Sequence, residues 1–377
     1  MVALARKTLI YEWRRFLPAI VAVGFAGLLQ LLQAALVLGI FGSASVYVTG
    51  SSADLWVGYP GTQSVNLGRA IDPDVAMRLR MDPAVTHVEP FLWVDADWRG
   101  PRDTGGQSVF VSGIDPRADA LMFAHALTPQ LRARLDQPDG VIVDRADLDK
   151  LGASVGETAA INGHRVRVVG VASGLRALGG VNIVSSLDTA RALDPDPNDS
   201  GRPTYLVASV GDPAQADAVA RRLQDRLGFA PYQVWTAKSF ARRSVLYWML
   251  DTGAGAGVAF LAGIVFLVGA VITSQTLMGA VAGSLREYAT LNALGVGVGN
   301  LRWVVLEQAF WVGAIGLAGA TVLGILVLAL AKSQDVPVVV NLPVTLACVL
   351  LSMVLAAVSG LVAMRSLRRA DPASLLR

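Results

Sequence analysis

FLPAIVAVGFAGLLQLLQAALVLGIFGSASVYVTGSSA, residues 16–53, contains no Asp, Glu, Lys or Arg. A helix needs about 20 apolar residues to cross the hydrocarbon core of a bilayer, and this stretch supplies them with length to spare. Three more uncharged runs follow, Thr252 to Leu285, Gln308 to Ala331 and Val336 to Met364. In lipid the backbone N–H and C=O groups must pair within the segment, so each run is expected to be a helix. Residues 54–251, between the first and second runs, are too many for a loop and have the composition of a water-soluble domain. The chain therefore reads as an α-helical membrane protein with four transmembrane helices and an α+β extracytoplasmic domain inserted between helices 1 and 2.

Composition agrees. Apolar residues make up 53% and charged residues 16%, against roughly 25% charged in a soluble domain. Residues 54–251 hold 24 Asp/Glu and 21 Lys/Arg, whereas the rest of the chain holds 5 acids and 11 bases. Those bases are placed asymmetrically. Arg6, Lys7, Arg14 and Arg15 precede the first span, Arg286 and Arg302 flank the loop after the second, and Arg365, Arg368, Arg369 and Arg377 follow the fourth. Only Lys332 lies between spans three and four. The positive-inside rule then places both termini and the 284–302 loop in the cytoplasm, with the inserted domain and the 332–341 loop outside. The basic isoelectric point, about 9.2, comes from the same tails and implies no nucleic-acid binding. The first apolar run exceeds the 7–15 residues of a signal-peptide core, so it is read as a retained span.

The expected segments are a cytoplasmic amphipathic helix at 1–16, spans at 17–41, 251–283, 303–331 and 342–364, the extracytoplasmic domain at 42–250, a cytoplasmic loop at 284–302, an external loop at 332–341 and a cytoplasmic tail at 365–377. In the first of these, Leu9, Ile10, Trp13 and Phe16 cluster on one side, which suits a helix lying on headgroups; a plain extension of span one reads equally well. Within the domain, nine strand-like runs are expected: Asp54–Gly58, Val85–Trp98, Ser108–Ile114, Gly140–Val143, Thr158–Ile161, Arg165–Val171, Val181–Val184, Tyr205–Val210 and Tyr232–Trp235. Asn162-Gly163 between two of them is a hairpin signal. Helices are expected over 72–81, 128–135, 145–151, 187–193 and 212–227, the last begun by Asp212-Pro213. From Ala237 a helix is expected to run directly into span two. Residues 194–203, DPDPNDSGRP, read as an exposed loop. The single cysteine, Cys348, lies in span four, so the domain has no disulfide framework and depends on its core.

Gly316, Ala320 and Gly324 recur at four-residue spacing in span three, a pattern that lets helix backbones approach closely. Gln30 and Gln33 share one face of span one, Gln275 lies in span two, and Glu307-Gln308 opens span three. Hydrogen bonds between helices are the simpler reading of these glutamines than a substrate pathway. No Walker A pattern, HExxH, Cys/His cluster or GxSxG occurs, so no catalytic, cofactor or metal site is expected in this chain. The three histidines, His87, His125 and His164, stand apart in sequence.

One segment carries a family signature. SLREYATLNALGVGVGNLRWVVLEQAFWVGAIGLAG, residues 284–319, resembles the cytoplasmic loop and third span of the FtsX/MacB-like ABC transporter permeases. Arg286, Glu287, Leu291, Ala293, Leu294, Gly295, Leu306, Glu307, Gly313 and Gly316 match, while Asn292 stands where a basic residue is usual. RRADPASLLR at 368–377 resembles the family's C-terminal ending. LWVGYPGTQSV at 55–65 and VSGIDP at 111–116 resemble the DevC-type subgroup, and VGETAAINGHRVRVVGVAS at 155–173 the shared periplasmic core. The resemblance implies a MacB-type (type VII) ABC permease that pairs as a homodimer with a cytoplasmic ABC ATPase subunit. ATP would be bound by that partner. It further implies export of a lipophilic or amphipathic cargo from the inner membrane, with a periplasmic adaptor and an outer-membrane channel. The alternative it leaves open is an FtsX-like scaffold, without transport, that regulates a cell-wall hydrolase.

Coupling to the ATPase is expected through Arg286, Glu287, Tyr288, Leu291, Leu294, Gly295 and Glu307. Tyr288, Leu291 and Leu294 can form an apolar ridge at helical spacing. The topology is checked directly by reporter fusions: a fusion after Gly201 should report outside the cytoplasm and one after Arg377 inside it. The opposite result at either site contradicts the four-span reading.

Overall fold

The computed structural model describes residues 8–102, 105–194, 201–224, 231–283, 298–334 and 336–367. It divides into two compact units, Met1–Gly39 with Ala256–Arg377, and Ile40–Gly255.

Helix α1 spans Trp13–Gly42 and is followed by a tight 3-10 turn, Ser43–Ser45, and a short helix α2, Val46–Thr49. The inserted domain then runs β1 (Leu55–Gly58), α3 (Val75–Arg80), β2 (Val85–Arg99), β3 (Gln107–Ile114), α4 (Pro129–Arg132), β4 (Gly140–Asp144), α5 (Leu148–Leu151), β5 (Thr158–Ile161), β6 (His164–Ala172), β7 (Val181–Ser186), α6 (Leu187–Leu193), β8 (Tyr205–Val210), α7 (Ala216–Leu223), β9 (Gln233–Thr236) and α8 (Ala237–Leu246). The nine strands lie where alternation and β-branched content place them, with ends shifted by one or two residues. Four helices are shorter than expected, α3 among them. Residues 133–136, 145–147 and 213–215 form 3-10 turns that precede or continue α4, α5 and α7. The Asp212 carboxylate caps the last of these turns by accepting the Ala214 N–H at 3.0 Å.

Strand β2 is the structural axis of the domain because it belongs to two sheets. Its first half pairs antiparallel with β8, from Val85↔Val210 to Phe91↔Tyr205. With β1 between β8 and β9, this gives the order β9-β1-β8-β2. Helices α3 and α7 connect β1 to β2 and β8 to β9, so the four strands and two helices form a split βαβ unit. The second half of β2 pairs with β3 and, at Trp98↔Ile161, with β5. From there the pairings run β3-β7-β4-β6-β5 and return to β2, closing a six-stranded ring. The ring is thus an insertion between the third and fourth elements of the split unit.

Side-chain alternation fills the ring. Leu92, Val94, Ala96 and Trp98 point the same way from β2 and meet Val109, Val111, Val141, Val143, Val181 and Ile183 in one buried cluster. The β5–β6 turn is Asn162-Gly163, with φ of 49° and 83°, the two left-handed residues that a tight hairpin demands. Asn162 also bonds outward, its Oδ1 accepting from the Asp97 N–H and its Nδ2 donating to the Leu193 carbonyl.

After α8 the chain does not run straight into the next span. Tyr247–Asp251 forms a π-helical turn, and Gly253 takes φ +74°, a left-handed conformation that ends a helix and favours glycine. Helix α9 begins afresh at Ala254 and extends to Gly283; α10 covers Val298–Ser333 and α11 Leu342–Leu367. Among the described residues, four helices are therefore long and apolar enough to cross a membrane. The 284–297 part of the loop, with Arg286, Glu287, Tyr288, Leu291, Leu294 and Gly295, lies outside the described residues, as do residues 1–7, 195–200, 225–230 and the 368–377 tail.

The N-terminal apolar cluster divides in the structure. Leu9 and Phe16 are buried with Ala19, Val23, Ala280, Ala309, Val312 and Ala356, whereas Ile10 and Trp13 are exposed. Side chains from α1, α9, α10 and α11 thus share one small core with Leu9. The clustering of Leu9, Ile10, Trp13 and Phe16 on a single face is corrected accordingly: half of it belongs to the bundle.

Trp98 tests the ring closure. It is buried at the β2–β5 seam, and its Nε1 donates to the Leu151 carbonyl at 2.9 Å. Replacing it with Ala should cost about 3–5 kcal/mol. In the full-length protein, amide exchange should accelerate across β4–β6 while β1 and β8 keep their protection.

Candidate functional site: an aromatic hub and the contacts of the spans

The domain's most concentrated side-chain chemistry is aromatic. On β1, β8 and β9, Leu55, Val57, Leu206, Ala208 and Val234 face α3 and α7. The opposite pleat carries Trp56, Val207 and Trp235, with Phe91 from β2 and Tyr205 from β8. Phe240 of α8 is inserted among them, its ring centroid 5.6 Å from Trp56, 5.8 Å from Tyr205 and 4.7 Å from Trp235. Tyr47 of α2 lies 6.2 Å from Phe91 and 6.3 Å from Phe123. The segment that follows the first span and the segment that precedes the second are both seated on this one face. Such aromatic contacts add about 0.5–1.5 kcal/mol each beyond the area they bury. Polar atoms are fitted to the same surface. Tyr205 Oη donates to the Val65 carbonyl at 2.8 Å, and Trp248 Nε1 donates to Ser64 Oγ at 3.2 Å. Burial holds the Tyr205 hydroxyl well above its ordinary pKa.

A loop, residues 115–127, ties α2 to β2. The Leu121 carbonyl accepts from the Ser52 N–H at 3.0 Å, and the Gly50 carbonyl accepts from the His125 N–H at 3.3 Å. At the other side the Leu121 N–H donates to both oxygens of the buried Glu89 carboxylate, at 3.0 and 2.8 Å. His87 Nε2 lies 2.7 Å from the same carboxylate. Arg132, also buried, donates to the carbonyls of Asp115 and Met122. Phe123 holds φ +53°, a conformation that bulky side chains rarely adopt. Its burial in the hub offsets that cost. Burial raises the Glu89 pKa above the usual carboxylate value, although the Leu121 N–H and His87 pull it down. Sequence reasoning passed over Glu89, because a single acidic residue in a strand gives no signal until the fold buries it.

In the bundle, α1 is the common partner. A Cβ built at Gly24 would stand 2.8 Å from the Gly316 carbonyl oxygen, and one at Gly316 would stand 2.7 Å from the Ile20 oxygen, so α1 and α10 cross at backbone contact. Ala320 is buried on the same helix. A Cβ at Gly324 would meet Leu31 at 3.0 Å. The span-three stripe therefore faces α1 of the same chain. Toward α11, Gln30 Oε1 accepts from Ser352 Oγ at 2.9 Å, and toward α9 a Cβ on Gly269 would reach Ala26 at 3.0 Å. Gln33 is half-buried, and Gln275 is exposed on α9. Glu307 is half-buried near the start of α10, with Oε1 unbonded among the described residues. Residues 336–341 fold back on α1, the Val339 N–H donating to the Ala35 carbonyl at 3.1 Å. The structure joins Gly316, Ala320, Gly324 and Gln30 around α1 and leaves Gln275 apart from them. No group of three metal-ligating side chains occurs among the described residues.

Two family models match the chain: the MacB-like periplasmic core domain over residues 22–226 and the FtsX-like permease C-terminal domain over residues 259–372. An uncharacterised ABC transporter permease protein of Mycobacterium tuberculosis is 25% identical over 236 residues, which are 59% of this chain and 26% of the relative. The chain thus spans about a quarter of that protein's length. Among solved structures, the extracellular domain of the noncanonic ABC-type transporter YknZ from Gram-positive bacteria is 14% identical, with a TM-score of 0.34, covering 49% of this chain and 100% of that one. The periplasmic region of MacB from Actinobacillus actinomycetemcomitans is 14% identical, with a TM-score of 0.35, covering 52% and 94%.

Glu89 yields a pH test. Its folded pKa is raised, so its contribution to stability is complete below the ordinary value of 4.5 and is lost as pH rises through the folded value. Glu89→Gln cannot ionise and removes this dependence. Exchange of the Leu121 amide, as the ratio of wild type to variant at each pH, should rise between pH 4.5 and neutrality. A flat ratio contradicts the assignment.

Proposed function

The chain belongs to the FtsX/MacB-like ABC transporter permease family, and from that premise we propose that it is the membrane subunit of an exporter powered by a separate cytoplasmic ATPase. The seating of α2 and α8 on one aromatic face is the observation that carries this reading. A force applied through either adjoining span arrives at the same packed surface, and packed interiors transmit displacement because they have little free volume. In this mechanism two copies pair, each with an ATPase subunit at the 284–302 loop, and ATP binding moves the spans. The inserted domain follows as a body and acts on cargo outside the cytoplasm. Both termini face the cytoplasm, as the basic flanks of the spans argue.

The scattered polar groups of the bundle support mechanical transmission over passage through a central pore. Gln30 is engaged with Ser352, and Gln275 is exposed on α9. The cargo class is lipophilic or amphipathic, handed to a periplasmic adaptor and an outer-membrane channel. A scaffold that regulates a cell-wall hydrolase could use the same hub, but the match of the MacB-like core over residues 22–226 favours export.

Two variants separate docking from transmission. Leu291→Asp with Leu294→Asp places charge on the ridge that seats in the ATPase. An unpaired buried charge costs several kcal/mol, so the ATPase should no longer co-purify although the protein still inserts. Phe240→Ala should leave ATPase association and hydrolysis near wild type while ATP-driven export falls. Wild-type export by Phe240→Ala contradicts transmission through the hub.

A further inference from the structure

Helix α8 and its π-helical continuation present Lys238, Arg242, Leu246 and Leu250 at four-residue intervals, and all four line one cleft of about 890 Å³. That volume lies within the roughly 300–1,000 Å³ range of small-molecule sites. Arg243 joins the cationic end, and Pro213 and Ala216 form part of the facing wall. The lining is therefore graded along its length, with three cations toward the start of α8 and two leucines toward its end. Leu246 is 41% and Leu250 69% exposed, so this apolar end is uncovered.

The cations are available. Arg102, Arg117, Arg176, Arg191 and Arg222 of the same domain are each paired with a carboxylate. The side chains of Lys238, Arg242 and Arg243 have no hydrogen bond or ion pair among the described residues. Three carboxylates also line the cleft. Asp54 is occupied, its Oδ2 accepting from the Val210 N–H at 2.9 Å. Asp217 comes from α7, and Asp251 directly follows Leu250. A negative charge beside Leu250 disfavours an anion at the apolar end and leaves the arginine end as its place. The π turn adds a second sign, since such turns within helices are frequent at functional sites.

We propose that this cleft binds an anionic phospholipid, one whose phosphate head carries no balancing cation, with the head on Arg242 and Arg243 and an acyl chain along Leu246 and Leu250. Guanidinium groups suit the head because they form paired, charge-assisted bonds to phosphate oxygens. The proposal rests on the export reading, for which it defines the cargo class.

The test uses the full-length protein in phosphatidylcholine nanodiscs without nucleotide. The probe is phosphatidylglycerol with a photoreactive diazirine in its acyl chain, compared with a phosphatidylcholine carrying the same chain. Phosphatidylglycerol should label peptides covering residues 238–251 in preference to phosphatidylcholine. Arg242→Glu with Arg243→Glu should reduce that labelling by about tenfold or more, the scale of a lost charge-assisted contact. Arg242→Lys with Arg243→Lys should retain most of it. Should the reversed-charge variant fail to fold, Arg242→Gln with Arg243→Gln replaces it and should lose labelling likewise. Equal labelling by the two probes, or labelling indifferent to the arginines, overturns the proposal. Labelling as expected in a protein that does not export under ATP leaves the site standing and removes the export reading. ATP-driven export with no labelling of 238–251 does the reverse.

Discussion

A chain that leaves the bilayer as one helix and re-enters it as another must anchor both ends in the same water-side body if motion in the membrane is to be felt there. In this protein the anchor is the pleat of Trp56, Phe91, Tyr205 and Trp235, with Phe240 inserted from α8 and Tyr47 from α2. The sheet that carries it is buried on both faces, by helices α3 and α7 on one side and the aromatic cluster on the other. Any tilt of α8 must therefore move the sheet or open the cluster. Opening it exposes large apolar side chains at about 25 cal/mol per Å², so movement as one body costs less.

The same economy explains the long β2 strand. Its first half belongs to the sheet that holds the hub and its second half closes the ring. A continuous strand through both parts leaves no flexible linker between them. The 115–127 loop repeats the device in polar form: one carboxylate, Glu89, accepts from the Leu121 N–H, and the Leu121 carbonyl accepts from the Ser52 N–H. In the bundle, backbone-to-backbone contact at Gly24 and Gly316 serves the corresponding purpose without water, where close packing rather than the hydrophobic effect drives association.

Much of this was legible in the sequence, for identifiable reasons. Span positions follow from runs without charge, and strand positions from alternation such as Leu92, Val94, Ala96, Trp98. Both are local signals. The Asn162-Gly163 hairpin was readable because left-handed backbone restricts residue choice. Ring closure was not readable, because it depends on β2 pairing with strands far away in sequence, and nothing at Trp98 announces Ile161 as its neighbour. The break after α8 was missed because Gly253, Gly255 and Gly257 look alike in a glycine-rich span, and only the conformation of Gly253 ends the helix. Glu89 and the unpaired Arg242 and Arg243 were passed over because burial and pairing are properties of the fold. The four-residue spacing of Gly316, Ala320 and Gly324 announced a packing face, and the structure supplied its partner, α1.

The most direct measurement of the central claim is a pair of distances by electron–electron resonance, with spin labels at Met81 and Ser239 in a background where Cys348 is replaced by Ser. Both labelled positions are exposed in the inserted domain. If the domain moves as one body, the Met81–Ser239 distance within one copy is the same with and without ATP bound to the partner ATPase, while the Ser239–Ser239 distance between two copies changes. A Met81–Ser239 distance that shifts with ATP while the distance between copies stays fixed would show that α8 moves against the sheet, and would contradict transmission by a rigid domain.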